Sequence, residues 1–154
     1  MRTRTIMLTL ALCFVAGAVW AASNPFMGTW KLNEAKSKIT AGTAKNVTVV
    51  YEAAGDQIKV TVDGLDGEGK PAHNEWTGKF DGKDYPVTGD PASDMRSVKA
   101  INGHSLQLTV KKDGKVTATG TNVVSADGKT RTIKTSGADA KGNKFKNTAV
   151  YDKQ

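Results

Sequence analysis

The chain has 154 residues, a formal net charge of +7, 16 glycines, 4 prolines and one cysteine. This length suits one domain and excludes most multidomain enzymes. A single cysteine excludes a disulfide framework, a CxxC redox site and a thiolate zinc centre, and two histidines argue against a His-rich metal site.

The first segment reads as a secretory signal. Arg2 and Arg4 make a positive start, and an apolar run from Ile6 to Val19 follows. A run of about 14 residues has signal-peptide length and falls short of the roughly 20 that span a bilayer. Val19 and Ala21 are small enough for the −3 and −1 positions of a cleavage site, so residues 1–21 are predicted as the signal peptide and 22–154 as the domain. Leu12 stands where lipidation of Cys13 would need a small residue, so Cys13 is an ordinary residue of the apolar run. Cleavage leaves 133 residues, a net charge of +5 and no cysteine. The expected location is periplasmic or secreted, with no stable membrane insertion after cleavage.

The rest of the chain alternates apolar and polar residues at period 2, the mark of half-buried strands, and shows no long apolar stripe at period 3.6. Ten strands are predicted: Phe26–Leu32, Val47–Ala53, Gln57–Val62, His73–Phe80, Lys83–Thr88, Met95–Ile101, His104–Lys111, Lys115–Ser125, Lys129–Ser136 and Lys144–Asp152. Val47, Val49 and Tyr51 share one face, as do Ile58, Val60 and Val62, and Trp76 with Phe80. Leu106, Leu108 and Val110 alternate with Gln107 and Thr109. Between the first two strands, Asn33 is placed to cap one or two helical turns through Glu34–Lys38 before Gly42 stops them, lying across one mouth of the fold.

Asp81-Gly82, Asn102-Gly103, Asp113-Gly114 and Asp127-Gly128 separate strand runs. Such pairs favour the positive φ angles of tight hairpin turns, which set each strand antiparallel beside the last. The series predicts an all-β, up-and-down meander of about ten strands. Closure into a barrel removes its two aggregation-prone edges and is favoured over a two-sheet sandwich.

The first strand begins Asn24-Pro-Phe-Met-Gly-Thr-Trp-Lys-Leu-Asn33, and Gly28-Thr29-Trp30 matches a G-x-W triplet. It resembles the signature of lipocalins and their calycin relatives. The whole region from Asn24 is similar to small bacterial secreted proteins with a lipocalin-like domain, which share a run like Val124-Ser-Ala-Asp-Gly-Lys-Thr-Arg131. The resemblance implies a barrel closed at one end by Trp30, with Gly28 allowing close backbone approach. A late-strand cation, Arg131 or Arg96, would pack across the indole. It implies a fold more than a role, because that group has no settled activity. Ten strands and no disulfide bring the chain nearer the fatty-acid-binding or nitrobindin-like branch than the eight-stranded one.

The remaining constellations favour ordinary roles. His73 and His104 are the only imidazoles, and His104 sits at a turn. Glu75 with Asp84, or Asp90 with Asp94, lacks any pattern that sets two carboxylates about 5–10 Å apart for acid–base work. Ser93, Ser97 and Ser105 lack a nucleophile-elbow context. Asp63, Asp66 and Glu68 fail calcium-loop spacing, because Leu65 occupies a ligand position. Lysines are dispersed, with only Lys111, Lys112 and Lys115 clustered, so nucleic acid is not an expected partner. No catalytic set, metal site or cofactor is expected, and the protein is not expected to be an enzyme.

The interior decides the functional expectation. Its predicted lining includes Trp30, Tyr51, Ile58, Val60, Trp76, Phe80, Tyr85, Val98, Leu106, Leu108, Val116, Ile133, Phe145 and Tyr151, with Ala118, Gly120 and Asn122 interleaved. A mostly apolar lining with a few polar anchors suits a small hydrophobic or amphipathic ligand. The candidate contacts are Tyr51, Trp76, Phe80, Tyr85, Arg96, Leu106, Leu108, Arg131 and Phe145, in a monomer, with Arg96 or Arg131 orienting an acidic head group. The alternative is a solid-cored envelope module that binds another protein through its hairpin loops, such as Asp63–Lys70 and Gly89–Asp94.

Overall fold

A computed structural model describes residues 24–139 and 141–154. The predicted signal segment therefore lies outside the described residues. Ten antiparallel strands form a closed barrel: β1 (Gly28–Leu32), β2 (Lys45–Ala54), β3 (Gln57–Leu65), β4 (Pro71–Gly78), β5 (Asp81–Thr88), β6 (Met95–Asn102), β7 (Ser105–Lys112), β8 (Lys115–Val124), β9 (Thr130–Ala138) and β10 (Lys144–Lys153). Each strand pairs with its sequence neighbour, and β1 closes the circuit by pairing with both β2 and β10. The up-and-down meander is thus present, with every strand at the predicted place and ends shifted by a few residues.

Two of the four predicted turn pairs take positive φ at a turn, Gly128 (φ 70°) after Asp127 and the pair Asp113-Gly114, whereas Asn102-Gly103 joins β6 to β7 with positive φ at neither residue. Asp113 and Gly114 link β7 to β8 with φ of 49° and 74°, the double positive φ that an Asp-Gly pair supports. Asp81-Gly82 departs from expectation. Both residues lie inside β5, at a register shift against β6. The chain instead turns at Lys79 and Phe80, so Phe80 ends up outside β4. Its ring still stacks on Trp76, with centroids 6.5 Å apart and planes at 15°.

The helical expectation reduces to one 3₁₀ turn, Glu34–Lys36, capped by the Asn33 side chain, which accepts from the Lys36 N–H. The segment is tied to β10. Lys38 and Thr148 exchange both backbone hydrogen bonds, and Ser37 Oγ accepts from the Val150 N–H. It continues the wall along β10 beyond the point where β1 leaves it.

Cross-strand register defines which side chains face inward. One row runs Tyr85, Arg96, Val110, Ala118, Gly137, Phe145. The next runs Val98, Leu108, Gly120, Thr135, Asn147, and a third joins Leu106, Asn122, Ile133 and Ala149. Val116 breaks the period-2 expectation. Thr117 is an extra residue between the pairs Val110–Ala118 and Lys111–Val116, and this bulge turns Val116 outward, where it is 57% exposed. Wall curvature needs glycine at position 137, where an added Cβ would lie 2.1 Å from the Thr117 carbonyl oxygen.

The dense part of the core comprises Phe26, Trp30, Val49, Tyr51, Ile58, Val60, Val62, Trp76, Leu106, Val124 and Tyr151, all buried. Phe26 and Phe80 meet edge to face at 5.9 Å, where β4 turns into β5. β4 and β5 pair only through Glu75–Thr88 and Trp76–Val87, and the Trp76, Phe80 and Tyr85 rings pack together beside that short seam.

Candidate functional site

Trp30 is fully buried on β1, with its Nε1 donating to the Phe26 carbonyl at 2.8 Å. Gly28 reaches φ of 104°, a backbone conformation that L side chains rarely adopt. The demand at that position comes from this angle, since the nearest atom to an added Cβ is the flexible Lys153 side chain.

Of the two candidate cations, Arg131 lies over Trp30. Its guanidinium carbon is 5.2 Å from the indole centroid, 5.1 Å from the Tyr51 ring and 4.4 Å from the Tyr151 ring. The residue is 0% exposed, and Nε, Nη1 and Nη2 have no hydrogen-bond partner. Three ring faces take the place that a carboxylate would ordinarily fill. Lys153 places its ammonium 5.1 Å from the same indole. Burial pushes the Tyr151 phenol up to about 12, against the pull of Arg131, and its hydroxyl donates to the Asn46 carbonyl.

Arg96 sits elsewhere, inward on β6 between Tyr85 and Val110. It is half-buried, and its Nε is sequestered without a partner. Burial holds its guanidinium below the usual arginine range, with Asp90 and Tyr51 opposing that shift. Its carbonyl accepts from Trp76 Nε1 at 3.0 Å. Asn122 joins the two regions, its Nδ2 donating to the Tyr51 hydroxyl at 3.2 Å while its Oδ1 stays unpartnered.

The other candidate contacts divide by burial. Tyr51, Trp76 and Leu106 are buried in the dense core. Phe80, Tyr85, Leu108 and Phe145 keep part of their surface accessible. So do Val110 and Ala118, in the row of Tyr85 and Phe145, and Ile133 and Ala149, in the row of Leu106. Val110 and Ala149 were not among the predicted interior residues. The signal was available, because Ala149 falls on the alternation from Phe145 to Tyr151 and Val110 on that from Leu106.

The other constellations lie on the outer wall or in turns. His73 is hydrogen-bonded through Nδ1 to Asp63 at 2.7 Å, with Glu75 3.7 Å from its Nε2. The Asp63 hydrogen bond raises its pKa, aided by the Asp63 and Glu75 charges. Glu75 is also engaged by Lys59 at 2.8 Å, and Asp84 by Lys111 at 2.6 Å. Asp90 accepts from the Ala92 N–H and Ser93 hydroxyl, organising its turn. Asp66 accepts from the Glu68 and Lys70 N–H groups, so its carboxylate serves the turn. Among the described residues, no group of three His, Cys, Asp or Glu is placed to hold a metal ion, and no helix is long and apolar enough to cross a membrane.

A shallow groove of about 500 Å³ lies on the outer face of β7–β10. Its lining includes the outward rows Gln107, Thr121, Lys134, Thr148 and Thr119, Ser136, Lys146, and it also reaches Gly120, Thr135 and Asn147 of an inward row.

No family model matches this chain, and no curated protein matches it. Among solved structures, it is similar to a redesigned β-barrel, mFAP1, bound to DFHBI, with 14% identity and a TM-score of 0.44 over 86% of this chain and 99% of that one. It is also similar to a de novo designed fluorescence-activating β-barrel, with 10% identity and a TM-score of 0.43 over 87% and 98%.

Proposed function

We propose that this chain is an exported, lipocalin-like carrier that holds a small hydrophobic or amphipathic molecule inside its barrel. One observation carries the reading. Leu108, Ile133 and Ala149 face inward from the middle of β7, β9 and β10, yet each stays partly accessible. Mid-strand apolar side chains that face a barrel interior and keep accessible surface are what a ligand held there would cover. A ligand there would gain about 25 cal/mol for each Å² of apolar surface withdrawn from water.

Kinship with the calycin barrels belongs to the same reading. It rests on Gly28-Thr29-Trp30 at the start of β1 and on the cation over the indole, Arg131. Export rests on the Arg2–Ala21 segment, and a monomeric, non-enzymatic role completes the proposal. Turnover is not part of it, because the titratable pairs near the surface are engaged in ion pairs and turns.

The test is native mass spectrometry of the protein purified from its own host, together with titration by an environment-sensitive apolar dye. A bound small molecule, or saturable dye binding abolished by Leu108→Trp, supports the carrier. A protein that carries nothing and binds no dye, yet retains a stoichiometric protein partner from envelope extract, replaces it with the interaction-module reading.

A further inference from the structure

Acidic side chains are confined to one half of the barrel wall. Strands β6 to β9 contain no aspartate or glutamate, and β10 contains only Asp152, near its end, where it accepts from Asn33 Nδ2. Strands β2 to β5 hold Glu52, Asp63, Glu75, Asp81 and Asp84. There the charges are largely compensated: Glu75 pairs with Lys59, Asp63 with His73, and Asp84 with Lys111. Lys99, Lys134 and Lys146 are exposed on the outer wall of β6, β9 and β10, and among the described residues none of them forms an ion pair.

Register draws these lysines together. The outward row Lys99, Gln107, Thr121, Lys134, Thr148 crosses five strands, and Lys146 stands diagonally from Lys134 in the next row. Lys99 and Lys134 are three strands apart, about 14 Å across the wall. Lys134 and Lys146 are diagonal cross-strand neighbours, about 7–8 Å apart. The groove of about 500 Å³ runs along this row from Gln107 to Thr148 and takes in Lys134 and Lys146, with Lys99 next beyond Gln107. Among the described residues, Ile101 is the one large apolar side chain in its lining. The arginine and aromatic side chains of β6 to β10 occupy inward positions.

We infer that this groove is a docking surface for an acidic polysaccharide. Its anionic substituents meet Lys99, Lys134 and Lys146, and its sugar hydroxyls bond to the Gln107 amide and the Thr121 and Ser136 hydroxyls. Uncompensated positive charge concentrated on one face attracts an anionic partner. The shape and lining of the groove select among such partners. A polymer chain follows a concave strip, whereas a bilayer meets a convex wall along a line and is held by apolar side chains that this groove lacks. Nucleic acid is gripped by arginine forks and aromatic stacking, and the outward positions here supply neither. Hydroxyl and amide groups set between point charges match a chain that carries both hydroxyls and anions. The surface lies outside the wall, so the inference is independent of the carrier reading.

The test measures binding by calorimetry at about 0.1 M salt, where charges more than about 10 Å apart are screened. The probes are polygalacturonate, dextran sulfate and uncharged dextran, with a DNA duplex and phosphatidylglycerol vesicles for comparison. The proteins are the wild type, Lys99→Gln/Lys134→Gln/Lys146→Gln, and Lys59→Gln/Lys70→Gln/Lys83→Gln, which loses the same charge from the opposite half of the barrel. At least one acidic polysaccharide should bind and dextran should not. The groove variant should bind roughly tenfold or more weakly, and the opposite-half variant within about twofold of the wild type. Thr121→Glu sets a carboxylate in the middle of the row and should weaken binding comparably; it gives the same readout should the triple groove variant fail to fold. Equal losses in the two triple variants would reduce the attraction to net charge and overturn the inference. So would no binding of either acidic polysaccharide, binding of dextran as tight as theirs, or tighter binding of the duplex or the vesicles.

Discussion

The aromatic enclosure of Arg131 makes a quantitative claim about stability. Its guanidinium lies closest to Tyr151, at 4.4 Å, and both residues are at most 2% exposed. A desolvated cation–π contact contributes about 2 kcal/mol. Tyr151→Leu removes that contact, part of the packed ring and the hydroxyl bond to the Asn46 carbonyl, and should cost about 3 kcal/mol. Arg131→Met should cost less, because losing three ring contacts is offset by relief of an unpartnered buried charge. The informative quantity is their coupling. In the Arg131→Met background, Tyr151→Leu should be cheaper by about 1–2 kcal/mol than in the wild type. Urea unfolding followed by far-ultraviolet circular dichroism on the four members of the cycle measures this, provided the denaturant slope stays constant. A coupling within about 0.3 kcal/mol of zero would refute the claim that ring faces replace a counter-ion at Arg131.

Three further outcomes follow from the same geometry. The Tyr151 phenol is raised to about 12 by burial, so the folded state holds this proton more tightly than the unfolded chain. Its contribution is complete below about pH 10 and is lost as pH rises toward 12; ultraviolet absorbance should show a late-titrating phenol that Tyr151→Phe removes and that titrates later still in Arg131→Met. His73 should titrate above the ordinary histidine value, and Asp63→Asn should lower it, as read by NMR of the imidazole protons. Its favourable interaction is present at low pH and lost as pH rises through the raised value. An unshifted His73 would remove the Asp63 pairing. Gly137→Ala should destabilise the barrel by about 1–3 kcal/mol through overpacking against Thr117 and Ala118, whereas Gly103→Ala, with open space around it, should be near neutral by thermal unfolding. Equal effects at the two positions would mean that the wall does not bend tightly at Gly137.

Much of this architecture is local in origin and therefore legible along the chain. Period-2 alternation and short turns each depend on residues within a few positions of one another, which is why ten strands in meander order followed from them. Trp30 could be singled out because its triplet is contiguous. What depends on register was not legible. The extra residue at Thr117 is visible only against its partner strand, and it sends Val116 to solvent although the alternation places it inside. The pair Asp81-Gly82 has turn chemistry, but the pairing of β5 with β6 absorbs it as an irregularity and moves the corner to Lys79 and Phe80. The division of labour between Arg96 and Arg131 was likewise undecidable from one dimension, because both occupy inward positions of strands. Only closure of the barrel, which brings β1, β2 and β10 around Arg131 and leaves β6 facing the interior, surrounds one guanidinium with three rings and leaves the other without a partner. Backbone propensity acts between neighbours in the chain, whereas burial and charge compensation act between neighbours in space.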